Sequence, residues 1–143
     1  MGDIRGAGFL IDTSAAHRIM RPEPLAMWRS ALSAGRIGMC AATEAEALYS
    51  AKSAAHYHEM RTAFGELYTW CAIPDDAWSA ILDLQETLAE AGCGRSAGVV
   101  DLLVAHTAMS NRLTVLHYDR DFETIGEHIG LNTQWLAEPG SIH

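Results

Sequence analysis

Short apolar runs alternate with longer stretches of helical periodicity along this chain. Phe9-Leu-Ile11, Ile37 to Cys40, Thr69 to Ile73 and Leu113 to Leu116 are brief and bounded by polar or glycine positions, as buried strands are. Between them, Leu25, Trp28 and Leu32 recur at helical spacing until Gly35 stops the pattern. Thr43 opens a predicted helix continuing through Leu48 and Ala51, and a helix over about 54–68 places Tyr57, Met60, Phe64 and Leu67 on one face. Pro74-Asp75-Asp76 caps a helix that carries Trp78, Ile81, Leu82, Leu84 and Leu88 and ends at Gly92. After a turn over 92–96, Val99 to Met109 is a strongly apolar helix, with Ala105 and Ala108 small enough for close packing on a sheet. A short helix over Asp121 to Ile129 and an edge strand over Thr133 to Leu136 complete the pattern. Strands alternating with helices predict an α/β fold, a parallel sheet with helices on both faces, in one domain over 1–143.

Composition narrows this picture. With 143 residues, 49% of them hydrophobic, the chain is long enough to bury one good core. No apolar stretch approaches the roughly 20 residues that span a bilayer, and Met1 to Gly8 lacks the apolar segment of a signal peptide. A cytoplasmic protein is expected. Cys40, Cys71 and Cys93 are an odd set at scattered spacings, giving neither a disulfide framework nor a zinc pattern. Cys40 and Cys71 read as core residues in a reducing compartment. The net charge of −8 counts against a broad basic surface for duplex nucleic acid. It leaves room for a phosphodiester substrate bridged by metal. Arg95, Arg112 and Arg120 flank the later acidic segments as, at most, a local patch steering phosphate.

The acids themselves carry the chemistry. Asp12 ends the first apolar run; Glu44 and Glu46 open the helix after the second; Asp101 lies near the start of the apolar helix; Asp119 and Asp121 follow the fourth run. In an open parallel sheet the strand carboxyl ends share the edge where ligands bind. Carboxylates gathered there repel one another unless a hard cation such as Mg²⁺ or Mn²⁺ neutralises them. Plainer readings exist for each. Asp12 suits a helix N-cap, although Thr13 and Ser14 would serve as well. Thr43-x-x-Glu46 is the spacing of a capping box, which leaves two readings of Glu46 open at this point, and Glu44 is expected to face solvent. Asp119 and Asp121 suit a turn and a cap. Asp101, amid Val99, Val100, Leu102 and Leu103, is costly to bury unless something pairs with it. Their common edge argues for a site.

With those residues in hand, the chain resembles the PIN-domain ribonucleases, specifically the VapC toxins of toxin–antitoxin pairs, over nearly its whole length. The resemblance rests on Leu10-Ile-Asp-Thr-Ser14, Glu46-Ala-Leu-Tyr-Ser-Ala51, Val100-Asp-Leu-Leu-Val-Ala105 and Thr114-Val-Leu-His-Tyr-Asp-Arg-Asp-Phe122, in their order and spacing. It implies a three-layer α/β/α sandwich with a mainly parallel twisted sheet of four or five strands. It also implies Mg²⁺- or Mn²⁺-dependent endonucleolytic cleavage of RNA, a VapB-like antitoxin laid over the catalytic groove, and a homodimer formed largely through helices in the first half. Residue by residue, the family's acids fall on Asp12, Glu46, Asp101 and Asp119, with Asp121 in an aspartate-phenylalanine pair. By the same resemblance all five serve as metal ligands, the catalytic role falling on Asp12, Glu46, Asp101 and Asp119. Glu44 does not match the helix glutamate, whose offset to Leu-Tyr-Ser-Ala is met by Glu46.

Two other classes compete. One is a degenerate PIN module that binds RNA or protein without cutting; the presence of every family acid counts against it. The other is a Mg²⁺-dependent phosphoesterase of another kind. A phosphatase would carry an Asp-x-Asp pair after the first strand, where Asp12 is followed by Thr13-Ser14. His56 and His58 lie on different helix faces, poor for joint ligation, and His106 and His117 stand isolated in sequence. No serine-hydrolase elbow or phosphate-binding glycine loop is present. Trp28, Trp70, Trp78 and Tyr57 fit core or interface faces better than a base-stacking platform.

Overall fold

The computed structural model describes residues 8–143. The reading of Met1–Ala7 as free of a signal segment lies outside them. Five strands form one all-parallel sheet in the order β3-β2-β1-β4-β5. They are β1 (Phe9–Ile11), β2 (Ile37–Met39), β3 (Thr69–Trp70), β4 (Thr114–His117) and β5 (Thr133–Trp135). The helices are α1 (Thr13–Ala16), α2 (Pro22–Ser33), α3 (Ala41–Leu48), α4 (Ala54–Leu67), α5 (Ala77–Glu90), α6 (Val99–Ser110) and α7 (Arg120–Ile129).

The central strands alternate their side chains between two cores. Leu10 and Val115 face one way, joining Ile81, Leu88, Leu102 and Phe122 from α5, α6 and α7. Ile11 and Leu116 face the other, meeting Ile19, Ile37, Met39 and the half-buried Trp28 and Phe64. Each neighbouring residue pair thus seals both layers, which is why these runs read as continuously apolar. The sandwich and the sheet agree with the expected fold.

Several boundaries moved for local reasons. The third strand is only Thr69–Trp70, because it pairs on one side alone, with Gly38 and Met39. Helix α3 starts at Ala41, not Thr43, with Cys40 as its N-cap, and stops at Leu48. Gly35 ends the α2 segment in the left-handed region (φ +70°) that glycine adopts without steric cost. Asp76 occupies the N-cap of α5 but makes no side-chain cap bond; its Oδ1 meets His106 Nε2 at 2.9 Å instead. His106 is therefore not isolated. Cys40 and Cys71 are buried free thiols. No described helix is long and apolar enough to cross a membrane.

Candidate active site on the carboxyl edge of the sheet

Asp12 directly follows β1 and is 4% exposed. It caps α1: the Ala15 N–H donates to Oδ1 at 3.0 Å, and the Ser14 hydroxyl lies 2.8 Å from both carboxylate oxygens. Burial pushes this carboxyl up to about 7; the bonds from Ala15 and Ser14 pull against that rise, and the charge of Asp101 adds to it.

Asp101 reaches the same edge by a different route. Helix α6 ends at Ser110, just before β4 begins, so its first turn lies over the strand carboxyl ends. There Asp101 Oδ2 accepts the Gly98 N–H at 3.2 Å, and the helix N-terminus favours the negative charge. Burial raises it to about 6; the Gly98 bond opposes the rise, while Glu46, Asp119 and Asp121 add like-charge repulsion. Two other segments, α3 through Glu46 and the start of α7 through Asp119 and Asp121, thus act electrostatically on this one carboxylate, and Asp101 in turn acts on Asp12. Asp119 caps α7 by accepting the Asp121 N–H at 2.9 Å, as its turn-and-cap reading anticipated. Partial burial and then Asp119 raise Asp121.

Glu46 has no part in a capping box. Thr43 sits within the first turn of α3, fully buried, and its hydroxyl donates to the Ile11 carbonyl at 3.0 Å. The threonine is spent pinning α3 to the end of β1, which leaves Glu46 exposed one turn further on and free to face the edge. Glu44 corrects an expectation: it is half-buried rather than solvent-facing, with Arg61 Nε at 3.5 Å. It lines a separate cavity of about 270 Å³ with Phe64, Tyr68 and Trp70.

The arginine patch also resolves. Arg95 and Asp121 line one groove, and Arg120 lies 6.0 Å over the Trp135 ring. Arg112 precedes β4 and so lies at the amino edge, away from the acids. Trp28 donates to the Leu136 carbonyl at 2.7 Å, whereas Trp70 and Trp78 stand exposed.

Sequence reasoning named Ser14 only as an alternative cap and His117 only as an isolated histidine, and both organise this edge. Ser14 Oγ accepts the Tyr118 N–H at 2.8 Å while it donates to Asp12, tying β4 to the first acid. Tyr118 is held in turn by Arg18 over its ring at 5.1 Å, and its hydroxyl accepts the Ile142 N–H at 2.7 Å. His117 is fully buried between Phe122 and Trp135, with Nδ1 accepting the Asp119 N–H at 3.2 Å. Burial pushes its imidazole down to about 4, so at neutral pH it is an uncharged acceptor that fixes the Asp119 turn. Local patterning signals none of these contacts except the spacing of Ser14 from Asp12.

Among the described residues no three His, Cys, Asp or Glu side chains converge into a ready-made metal cage. The acids line an edge rather than enclose a point. Their donor chemistry nevertheless fits a hard divalent cation: every candidate ligand is a carboxylate oxygen. Among the described residues none of the five is in an ion pair, the pairs present being Glu44–Arg61 and Asp76–His106. A buried carboxylate such as Asp12, with no cation facing it, has the character of a site that a cation completes.

The model of the PIN domain family matches residues 9–128. The chain belongs to that family. Within it, this PIN domain is 36% identical to Ribonuclease VapC18 of Mycobacterium tuberculosis over 94% of its own length and 98% of that relative's. It is 32% identical to Ribonuclease VapC51 of the same organism, over 94% and 96%, so these VapC proteins are full-length relatives. The PIN fold is shared with the DNA-bound VapBC of Salmonella typhimurium (TM-score 0.73, 22% identity, 92% of this chain and 99% of that one). It is shared too with the DNA-bound VapBC2 of Rickettsia felis (TM-score 0.71, 15% identity, 89% and 97%).

Proposed function

We propose that this PIN domain is the toxin of a toxin–antitoxin pair, an endoribonuclease that requires Mg²⁺ or Mn²⁺. The observation that carries the reading is the pair Asp12 and Asp101. Both are lifted by burial and by neighbouring like charge, on the sheet edge where α/β proteins bind ligands, and neither has a cationic partner among the described residues. Full-length relatives named as ribonucleases support the activity.

Asp12 and Asp101 would hold the ion, with Glu46, Asp119 and Asp121 completing its surroundings. When bound, a divalent cation lowers the pKa of water and stabilises charge on phosphoryl oxygens. The protein's own groups do the rest. Ser14 and the Ala15 N–H favour the charged form of Asp12 and fix its orientation, the Gly98 N–H does the same for Asp101, and His117 presents Asp119. Hydrolysis then adds water across one P–O bond: the water oxygen joins phosphorus, and the departing ribose oxygen takes a proton.

Fold neighbours described as VapBC complexes support a VapB-like antitoxin as partner. Helix α4 supports an interface in the first half of the chain, as homodimer or antitoxin contact. It has no fully buried residue: Phe64 and Leu67 pack against the core, while Tyr57 and Met60 stay half-exposed. A cytoplasmic location goes with that reading. The deciding assay incubates purified protein with cellular RNA in Mg²⁺, with and without chelator, alongside Asp101→Asn. Cleavage lost in both controls supports the reading. RNA bound but never cut would leave a non-cleaving PIN module in its place.

A further inference from the structure

The loop between α5 and α6 forms one wall of an open groove of about 600 Å³, within the usual range of about 300–1,000 Å³ for ligand sites. Arg95 and Ser96 stand on that wall, and Asp121, Ala89 and Gly94 also line the groove. The groove reaches the acidic edge, because Asp121 on its lining lies in the first turn of α7, just past the carboxyl end of β4. A Cβ on Gly94 would stand 3.3 Å from the Ala89 Cα, so the loop lies directly on the last turn of α5, and a side chain there would require loop or helix to give by a few tenths of an ångström.

Charge decides what such a groove accepts. A polyanionic strand approaching five carboxylates on a chain of net charge −8 needs a cation beside the edge. Arg120 is engaged over Trp135, and Arg112 lies at the opposite edge. Arg95 is exposed and, among the described residues, in no ion pair. Its planar fork matches phosphate oxygens two at a time, and the neighbouring Ser96 hydroxyl offers another donor.

We propose that Arg95 and Ser96 form a subsite for an RNA backbone phosphate flanking the one at the acidic edge. The inference rests on the ribonuclease reading and adds the path by which the strand leaves the site.

The test measures binding of a labelled, random-sequence single-stranded RNA by fluorescence anisotropy, in Mg²⁺, on the Asp101→Asn background so that the strand stays intact. Arg95→Ala, Arg95→Lys and Arg112→Ala are compared with that parent across a salt series. Arg95→Ala is expected to weaken binding about tenfold, the scale of one hydrogen bond to a charged group. Its salt slope should fall by about 0.7, the loss of one single-strand phosphate contact. Arg95→Lys should recover the slope but only part of the affinity, because a point charge replaces the fork. Arg112→Ala should overlay the parent. If the parent binds and Arg95→Ala matches it in affinity and slope, the subsite is overturned while the ribonuclease reading stands. Wild type that neither binds nor cleaves such RNA even at about 50 mM salt, where phosphate contacts dominate, overturns both.

Discussion

Ser14 holds both oxygens of Asp12 at 2.8 Å through a single hydroxyl. Because that oxygen also accepts the Tyr118 N–H, the hydroxyl proton has one destination, the carboxylate. Ser14→Ala removes a donor that favours the charged form, so the Asp12 pKa should climb further above about 7. The measurable result is weaker Mn²⁺ binding at pH 7 that recovers as pH is raised, read by titration calorimetry. Unaltered affinity and pH profile would mean that the serine only caps a helix.

Glu46→Gln should abolish RNA cleavage with little change in melting temperature, since the side chain is exposed and makes no capping bond. Glu44→Gln should leave cleavage intact and cost under about 1 kcal/mol, as loss of a partly exposed ion pair does. Parallel cleavage and thermal-melt assays separate them. Activity lost in Glu44→Gln and kept in Glu46→Gln would place the register of the site two residues away.

The pH dependence of stability follows from the two raised carboxyls. Asp12 and Asp101 bind protons more tightly folded than unfolded, at about 7 and about 6 against 3.8. Their contribution is therefore full below pH 4 and is lost as pH rises through 6 and 7. His117, depressed to about 4 from 6.5, works the other way, its contribution lost as pH falls from 6.5 toward 4. The two carboxyl shifts together exceed the histidine shift. Metal-free protein should thus melt lower at pH 8 than at pH 5.5, and Asp12→Asn should stabilise it by about 1–3 kcal/mol at pH 8. Melts in chelator across that range check this; an Asp12→Asn protein less stable than wild type at pH 8 contradicts it.

Asp101→Asn keeps shape and burial but supplies a weaker, neutral oxygen. A few kcal/mol of lost transition-state stabilisation slows cleavage by two or more orders of magnitude. Expression of wild type without an antitoxin should arrest bacterial growth, and the folded Asp101→Asn protein should not. Undiminished arrest by that variant would separate toxicity from carboxylate-dependent catalysis.

Much of this was legible beforehand because buried strands and apolar helices write their periods into the sequence. Phe9 to Ile11 and Thr114 to His117 emerged close to where the apolar runs lie, and the acids at their carboxyl ends followed from parallel topology. Glu46 was ambiguous because Thr43 offers a local spacing that a capping box also uses. Only the distant Ile11 carbonyl decides the matter, by claiming the threonine hydroxyl. The Ser14–Tyr118 bond and the Trp135 side of the shelter around His117 escaped for the same reason: those partners are far apart in sequence. Arg112 shows the converse error, since closeness to an acidic segment along the chain put it at the wrong end of a strand.

The order of the strands also fixes when the edge can exist. Strand β1 lies in the middle of the sheet, yet its neighbour β4 begins at Thr114. A chain emerging from the ribosome, at about 5–20 residues per second, carries Asp12 and Glu46 long before Asp119 or the Tyr118 N–H that Ser14 receives. The last acids arrive more than 100 residues after Asp12. The parallel sheet therefore delays the assembled edge until β4 and the turn after it have been made, and a shorter nascent chain bears only scattered carboxylates.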